Sequence, residues 1–422
     1  YENPKTGIGR VVAKALYGEI QENSPTRLGQ FAACAFAHFL KYGLKLQERE
    51  KYELNVADVG TVIHETLKKF SEKLAERGYQ WTALTEKQRN SLVDKSLEEI
   101  VHDYRNTIFQ SSSRNTYFIT RIQNMMRCTI WALQEQIRKG AFEPGGFEIS
   151  FDARENLDSI NIDLSKDEKL KLCGRIDRMD RYETTGKIYV KIIDYKTGSA
   201  TLDLLDLYYG MQLQMAVYLN VALELEQKKH PEKEVEPAGI YYYHIQDPFV
   251  TVESVEAEKD QEEILNAFKM DGLTRNDGEI LPLMDCTLSL GVQSSVIPIG
   301  YNKNGSLTWY SKVVEKEDFE VIQRYTSRKI RQIGRKMMDG ETTVSPFLME
   351  KRNSCAYCPY HGICGFDERI PGFSYRRLSK LSQEKIMQLM REELREGDRG
   401  SGGNEDNPEL GCGAKRNRER SR

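Results

Sequence analysis

The stretch GRIDRMDRYETTGKIYVKIIDYKTG, residues 174–198, decides the fold. Two runs rich in apolar, β-branched and aromatic residues flank Glu183-Thr184-Thr185-Gly186, whose composition suits a turn, so the pattern predicts a β-hairpin. Placing Thr184 and Thr185 in the loop sets Asp177 opposite Ile192. Strand side chains alternate, so Ile188, Val190, Ile192, Asp194 and Lys196 share one face, and Asp177 joins it from across the pair. Asp177 and Asp194 are then diagonal neighbours roughly 7–8 Å apart at Cα, near enough for both carboxylates to reach one ion. A slip of one residue would turn them to opposite faces.

Those residue types suit phosphodiester hydrolysis. Mg²⁺ takes hard oxygen ligands and keeps several waters, so two carboxylates and a substrate phosphate make a sufficient site. A lysine two residues beyond the second aspartate can orient the attacking water and meet the charge of the transition state. An isolated D-x-K is common and more often marks a surface ion pair, so its surroundings decide. Along 59–78, Ile63, Leu67, Phe70 and Leu74 form a helical stripe with His64 at its edge, where a neutral imidazole can face a metal or phosphate. Gln214 and Tyr218 stand four apart on a second helix and point the same way. Each of these has an ordinary structural explanation when taken singly.

Taken together and in this order, they resemble the PD-(D/E)XK nucleases, and within them the RecB/AddB exonuclease branch. G-x-x-D-R-x-D is matched by Gly174 to Asp180, D-Y-K-T-G by Asp194 to Gly198, Q-x-x-x-Y by Gln214 and Tyr218, and G-x-x-x-H by Gly60 and His64. The glutamate of an intermediate motif corresponds to Glu148 in GGFEISF. The resemblance runs from about residue 10 to about 390. It implies an α/β, restriction-endonuclease-like mixed central sheet flanked by helices, with large helical additions. It also implies a catalytic set of Asp177, Asp194, Lys196, His64, Gln214 and Tyr218, with Asp177, Asp194 and His64 holding Mg²⁺ or Mn²⁺.

Cysteine spacing is the second signal. Cys355-x₂-Cys358-x₅-Cys364, in CAYCPYHGICGF, has metal-ligand spacing and lacks a local fourth ligand unless His361 supplies it. The resemblance implies a 4Fe-4S cluster held by these three and by a distant cysteine in a C-P-F-x-H-F string, here Cys34-Ala35-Phe36-Ala37-His38-Phe39 with alanine in place of proline. Four thiolates suit iron–sulfur, whereas three with a histidine would suit structural zinc. Joining Cys34 to Cys355 spans 320 residues, so such a centre would staple the two ends of the domain. Cys128, Cys173, Cys286 and Cys412 are scattered and read as small apolar fillers or tail residues.

The net charge is −3 and the isoelectric point about 6.2, so nucleic-acid binding must be local. The richest basic run, RYTSRKIRQIGRK at 324–336, is either a solvated helix face or a phosphate track. No apolar run approaches the ~20 residues of a membrane span, and thiols in metal spacing fit a reducing cytoplasm. No G-x-x-x-x-G-K-[ST] string offers a P-loop. The division expected is a lead-in at 1–25 from a longer protein, a nuclease domain at 26–394 and a disordered tail at 395–422. The activity implied is exonucleolytic DNA cleavage on one strand as an AddAB-type helicase–nuclease, with an AddA-type partner subunit, resects broken ends for recombination. A free-standing iron–sulfur nuclease and a DNA-end-binding scaffold with a vestigial metal site are the alternatives.

Overall fold

The computed structural model describes residues 7–49, 56–103, 109, 112–152, 157–247 and 257–401. The described chain opens with α1 (Gly9–Tyr17), β1 (Ile20–Asn23) and α2 (Pro25–Ala33). Ser24 caps α2 by accepting the Arg27 N–H, and Pro25 fits its first turn, where no N–H is needed. The sequence predicts one helix over 26–46, but Cys34 is extended (φ −162°), and α3 (Ala35–His38) starts anew beyond it. The break has a partner: Phe36 N–H donates to Thr343 O at 3.2 Å instead of continuing the helix.

A helical block follows, α4 (Val56–Glu76), α5 (Glu86–Asp103) and α6 (Ser113–Arg138). Ile63, Leu67, Phe70 and Leu74 of α4 are buried, as their spacing requires. The sequence offers Trp81, Tyr104, Phe109 and Trp131 as core anchors of this block; Trp81 and Phe109 are inside, Trp131 packs partly buried against them, and Tyr104 lies outside the described residues.

Then come β2 (Glu143–Phe151), β3 (Asn161–Asp163), β4 (Lys169–Leu172), β5 (Gly174–Glu183) and β6 (Lys187–Lys196). A segment expected to be one helix over 203–229 divides into α7 (Leu204–Tyr208) and α8 (Gln214–Lys229) around Gly210, whose φ of 83° favours glycine. Next are β7 (Glu234–His244), α9 (Ala257–Ala267), β8 (Asp271–Arg275), α10 (Leu281–Met284), β9 (Val313–Val314) and α11 (Lys316–Met338). The chain finishes through β10 (Phe347–Met349), β11 (Arg352–Asn353), α12 (His361–Cys364), β12 (Arg376–Arg377) and α13 (Gln383–Ser401).

The main sheet is mixed and six-stranded, in the order β2-β5-β6-β7-β8-β9. β5 and β6 are antiparallel, whereas β6 and β7 are parallel and joined by α7 and α8, the helical crossover that a parallel pair needs. Both faces are covered. Ile188, Val190 and Ile192 enter a core with α8, α11 and α13, while Tyr189, Ile193 and Tyr195 enter a second core with α4, α5 and α6. Burial on both sides explains the nearly continuous apolar run in β6. Residues 7–25, expected as a lead-in, belong to this body, because β1 pairs in parallel with β4 and Ile8 N–H donates to Gly340 O. α13 likewise carries helix to Ser401, past the expected tail boundary at 395; residues 402–422 lie outside the described set.

The hairpin register differs from the expected one. Glu183 pairs with Ile188, and Thr184 N–H donates to Lys187 O, so Thr185 and Gly186 form the loop. Met179, not Asp177, stands opposite Ile192. The slip is by two residues, which preserves the faces and moves the carboxylates closer.

Beneath the hairpin lies a buried charge cluster. Arg178 donates to both Asp180 oxygens at 2.6 and 2.8 Å, and Lys191 Nζ lies 3.2 Å from Asp180. Burial disfavours the Asp180 carboxylate, but Arg178 and Lys191 more than compensate and hold its pKa below the usual range. Asp180→Ala should therefore cost about 3–5 kcal/mol in a urea titration, since it strands buried cations, whereas Arg369→Ala, which breaks an exposed pair with Asp367, should leave the midpoint unchanged.

Candidate active site

Asp177 stands where two ladders part. The β5–β6 pairing ends at Arg178↔Ile193, and the β2–β5 pairing passes from Phe147↔Arg178 to Ile149↔Ile176 without pairing Glu148 and Asp177. The side chain takes over from the backbone there: Asp177 Oδ2 accepts the Tyr195 N–H at 2.8 Å. Glu148, level with Asp177 on the next strand, adopts φ 50°, an uncommon left-handed conformation that concentrates at functional sites. The glycine opening β5 is required by packing, since a Cβ on Gly174 would lie 2.7 Å from the Phe151 ring and 3.2 Å from Tyr218.

His64 approaches from α4. Its Nδ1 lies 3.4 Å from Asp177 Oδ2 and 3.7 Å from Glu148 Oε1. Burial would lower the imidazolium, but hydrogen bonds and attraction from Asp177 and Glu148 outweigh it and raise His64 to about 10. Arg175 pairs with the other Glu148 oxygen and lies 3.2 Å from Glu65.

Lys196 Nζ lies 2.6 Å from Asp194 Oδ2 and 3.3 Å from Gln214 Oε1. Gln214 in turn donates to Asp194 Oδ1 at 2.8 Å and to the Tyr218 hydroxyl at 3.1 Å. Helical spacing thus does bring Gln214 and Tyr218 together, at the first turn of α8. Burial and the nearby Asp177 charge push Asp194 up to about 6, against the pull of Lys196. Burial, reinforced by Asp194, raises Tyr218 to about 12.

Among the described residues, the one group of three metal-ligating side chains with all donor atoms within 4.8 Å is His64, Glu148 and Asp177. The expected trio had Asp194 in place of Glu148; Asp194 is instead turned toward Lys196 and Gln214. The donor set still fits a divalent cation. Two buried carboxylates and an imidazole present donor atoms within 4.8 Å of one another, while Glu148 Oε2 faces Arg175 and Asp194 Oδ2 faces Lys196, and carboxylates lined up across adjacent strands repel unless cations lie among them. Glu148 is the residue that sequence reading underweighted. Its signal was the paired Gly145-Gly146 before it, where the β2 register shifts and the strand bends.

The cysteines gather elsewhere. Cys34, Cys355, Cys358 and Cys364 line one cavity, together with Tyr360, His361 and Phe366. Burial is the first cause that raises the thiols of Cys355, Cys358 and Cys364, and Cys34 adds to each. No three of the sulfurs come within 4.8 Å of one another. A single tetrahedral zinc would require sulfur–sulfur distances of about 3.8 Å, given Zn–S near 2.3 Å. On the basic run, Arg331 and Arg335 donate through Nε to the carbonyls of Asp163 and Leu164, and line a separate cleft between α11 and α13.

This geometry agrees with comparisons of the sequence. Residues 22–365 match the PD-(D/E)XK nuclease superfamily, and the chain belongs to it. Among curated proteins it is 39% identical over 400 residues to an ATP-dependent helicase/deoxyribonuclease subunit of Lachnoclostridium phytofermentans, covering 93% of this chain and 34% of that protein. It is 36% identical over 395 residues to the protein of the same name in Alkaliphilus metalliredigens, with the same shares covered. The chain thus spans about a third of the length of these relatives.

In the metal-free protein, His64 should stay protonated to about pH 10. Its folded value exceeds the unfolded value of about 6.5, so the stability it contributes is complete below pH ~6.5 and is lost as pH rises through 10. NMR titration of its ring should show this, and Asp177→Asn should return the midpoint toward the ordinary histidine range.

Proposed function

We propose that this chain is the nuclease portion of an AddAB-type helicase–nuclease: a metal-dependent deoxyribonuclease that cuts single strands drawn from an unwound duplex end, in the cytoplasm, with an AddA-type protein as its partner. One observation carries the reading. Glu148, Asp177 and Asp194 converge from three adjacent strands, with Lys196 against the last. The family membership and the name of the relatives support it.

Glu148, Asp177 and His64 would hold Mg²⁺ or Mn²⁺, with Asp194 beside them, its oxygens facing Lys196 and Gln214. Bound there, the ion supplies Lewis acidity toward the scissile phosphate. Lys196, fixed by Asp194 and Gln214, orients the attacking water and meets negative charge as it develops on the phosphate oxygens. Gln214 fixes the lysine and the aspartate at once, and Tyr218 holds the amide in that orientation. The cysteine cavity is proposed to hold a 4Fe-4S cluster, in which four thiolates bind four different irons and need not meet about one ion.

Asp177→Ala, Asp194→Ala and Lys196→Ala should each lower Mg²⁺-dependent cleavage of single-stranded DNA by about 10²–10³ or more, with circular dichroism unchanged. Full activity in Asp194→Ala would eliminate the catalytic assignment and leave a DNA-end-binding scaffold.

Cys34→Ala and Cys355→Ala should lose iron alike and lower the melting temperature together, because each removes one thiolate from a shared centre. Iron analysis and the visible spectrum of anaerobically purified protein check this. Wild-type iron content in Cys34→Ala would remove it from the ligand set.

A further inference from the structure

A continuous surface leads from the catalytic amide to the cysteine loop and on to a cationic patch. A cleft of about 500 Å³ is lined by Gln214 and Tyr242 and also by Tyr357, Cys358 and Pro359. Lys196 Nζ lies 5.0 Å from the Tyr242 ring centre, so the wall at Tyr242 adjoins the proposed catalytic lysine. Pro359 also lines a second cleft of about 470 Å³, whose wall includes Arg27, Lys41, Tyr42 and Lys45. Among the described residues, none of these three cations is paired with a carboxylate, although Glu48 lies in the same cleft and Arg27 donates to the Glu22 carbonyl at 3.0 Å. Arg27 and Lys41 lie 4.8 and 5.3 Å from the Tyr42 ring centre.

Tyr357, in the wall of the first cleft and two residues before the shared Pro359, is 99% exposed. An aromatic ring so placed gains nothing from the core. The turn that carries it is nevertheless held, because the Cys358 N–H donates to Cys355 O and the Cys355 N–H donates to Asn353 Oδ1, so the backbone beneath the ring is ordered. A ring on an ordered backbone costs less entropy on binding. Rings interleaved with unpaired cations are what single-stranded nucleic acid recognises, since bases stack on the rings while phosphates follow the charge.

We propose that this surface is the path of the single strand into the nuclease centre, with Tyr357 as a base-stacking platform and Arg27, Lys41 and Lys45 as phosphate contacts. The inference rests on the nuclease reading above and adds which residues select an unpaired strand. Duplex DNA keeps its bases stacked and offers Tyr357 none.

The test uses the 422-residue chain, purified anaerobically, with a fluorescent oligothymidylate for metal-free anisotropy and for Mg²⁺-dependent cleavage. Tyr357→Ala should weaken binding and raise KM about tenfold with kcat nearly unchanged, the loss of one stacked base, and Tyr357→Trp should restore both. Lys41→Ala with Lys45→Ala should flatten the log–log salt dependence of binding by about 1.4, or 0.7 per phosphate contact. Unchanged affinity in Tyr357→Ala overturns the proposal, as does displacement of the oligonucleotide by polyglutamate at equal charge, which would make the patch a site for acidic protein. A wild-type chain that binds oligothymidylate through Tyr357 but cuts no DNA would instead overturn the catalytic reading and leave this one standing.

Discussion

The rest of the site depends on one hydrogen bond, from the Tyr195 amide to the Asp177 carboxylate. A sheet normally satisfies its amides with carbonyls, and a strand that keeps doing so leaves no room for a side chain between its neighbours. At Asp177 the backbone pairing lapses on both sides, and a carboxylate fills the gap. That exchange fixes the acid without a rotamer search and opens the sheet where Glu148, Asp194 and His64 converge. The amide is satisfied and the cost of burying the carboxylate is reduced together.

The hairpin, the helical block and the crossover helix were legible because their signals are local. Runs rich in apolar, β-branched and aromatic residues on either side of a turn marked β5 and β6, and a stripe at three and four marked α4. Register was not legible at the level of a residue, because Thr184, Thr185 and Gly186 all suit a turn and only the long-range pairing of β5 with β2 and β6 chooses among them. The consequence stayed small because the error was even. Glu148 was harder. Its left-handed backbone is invisible in composition, and its place beside Asp177 follows from β2 pairing with β5 across some 20 intervening residues. The break at Cys34 was hidden for a similar reason, since FAACAFAHFL reads as good helix until Thr343 supplies a competing acceptor.

The buried Arg178, Asp180 and Lys191 explain why the motif around Asp177 extends beyond the residues that could touch a metal. Arg178 stacks near Trp81 and Phe147 in the opposite core, within 6 Å of each ring centre, and so ties β5 to the helical block that presents His64. The two faces of one strand thereby divide their duties: Asp177 points to chemistry, and its neighbours anchor the helices that complete it.

The separation of the two centres along the chain has a consequence for synthesis. Every side chain of the candidate active site lies between residues 64 and 218, and the sheet strand that backs them ends at His244. In the proposed cluster Cys34 would wait for Cys355, about 16–64 s later at bacterial elongation rates of roughly 5–20 residues per second. A nascent chain thus possesses the candidate catalytic groups before it possesses the turn bearing Tyr357. The order in which the ribosome releases these segments places the proposed strand surface well after the candidate catalytic groups.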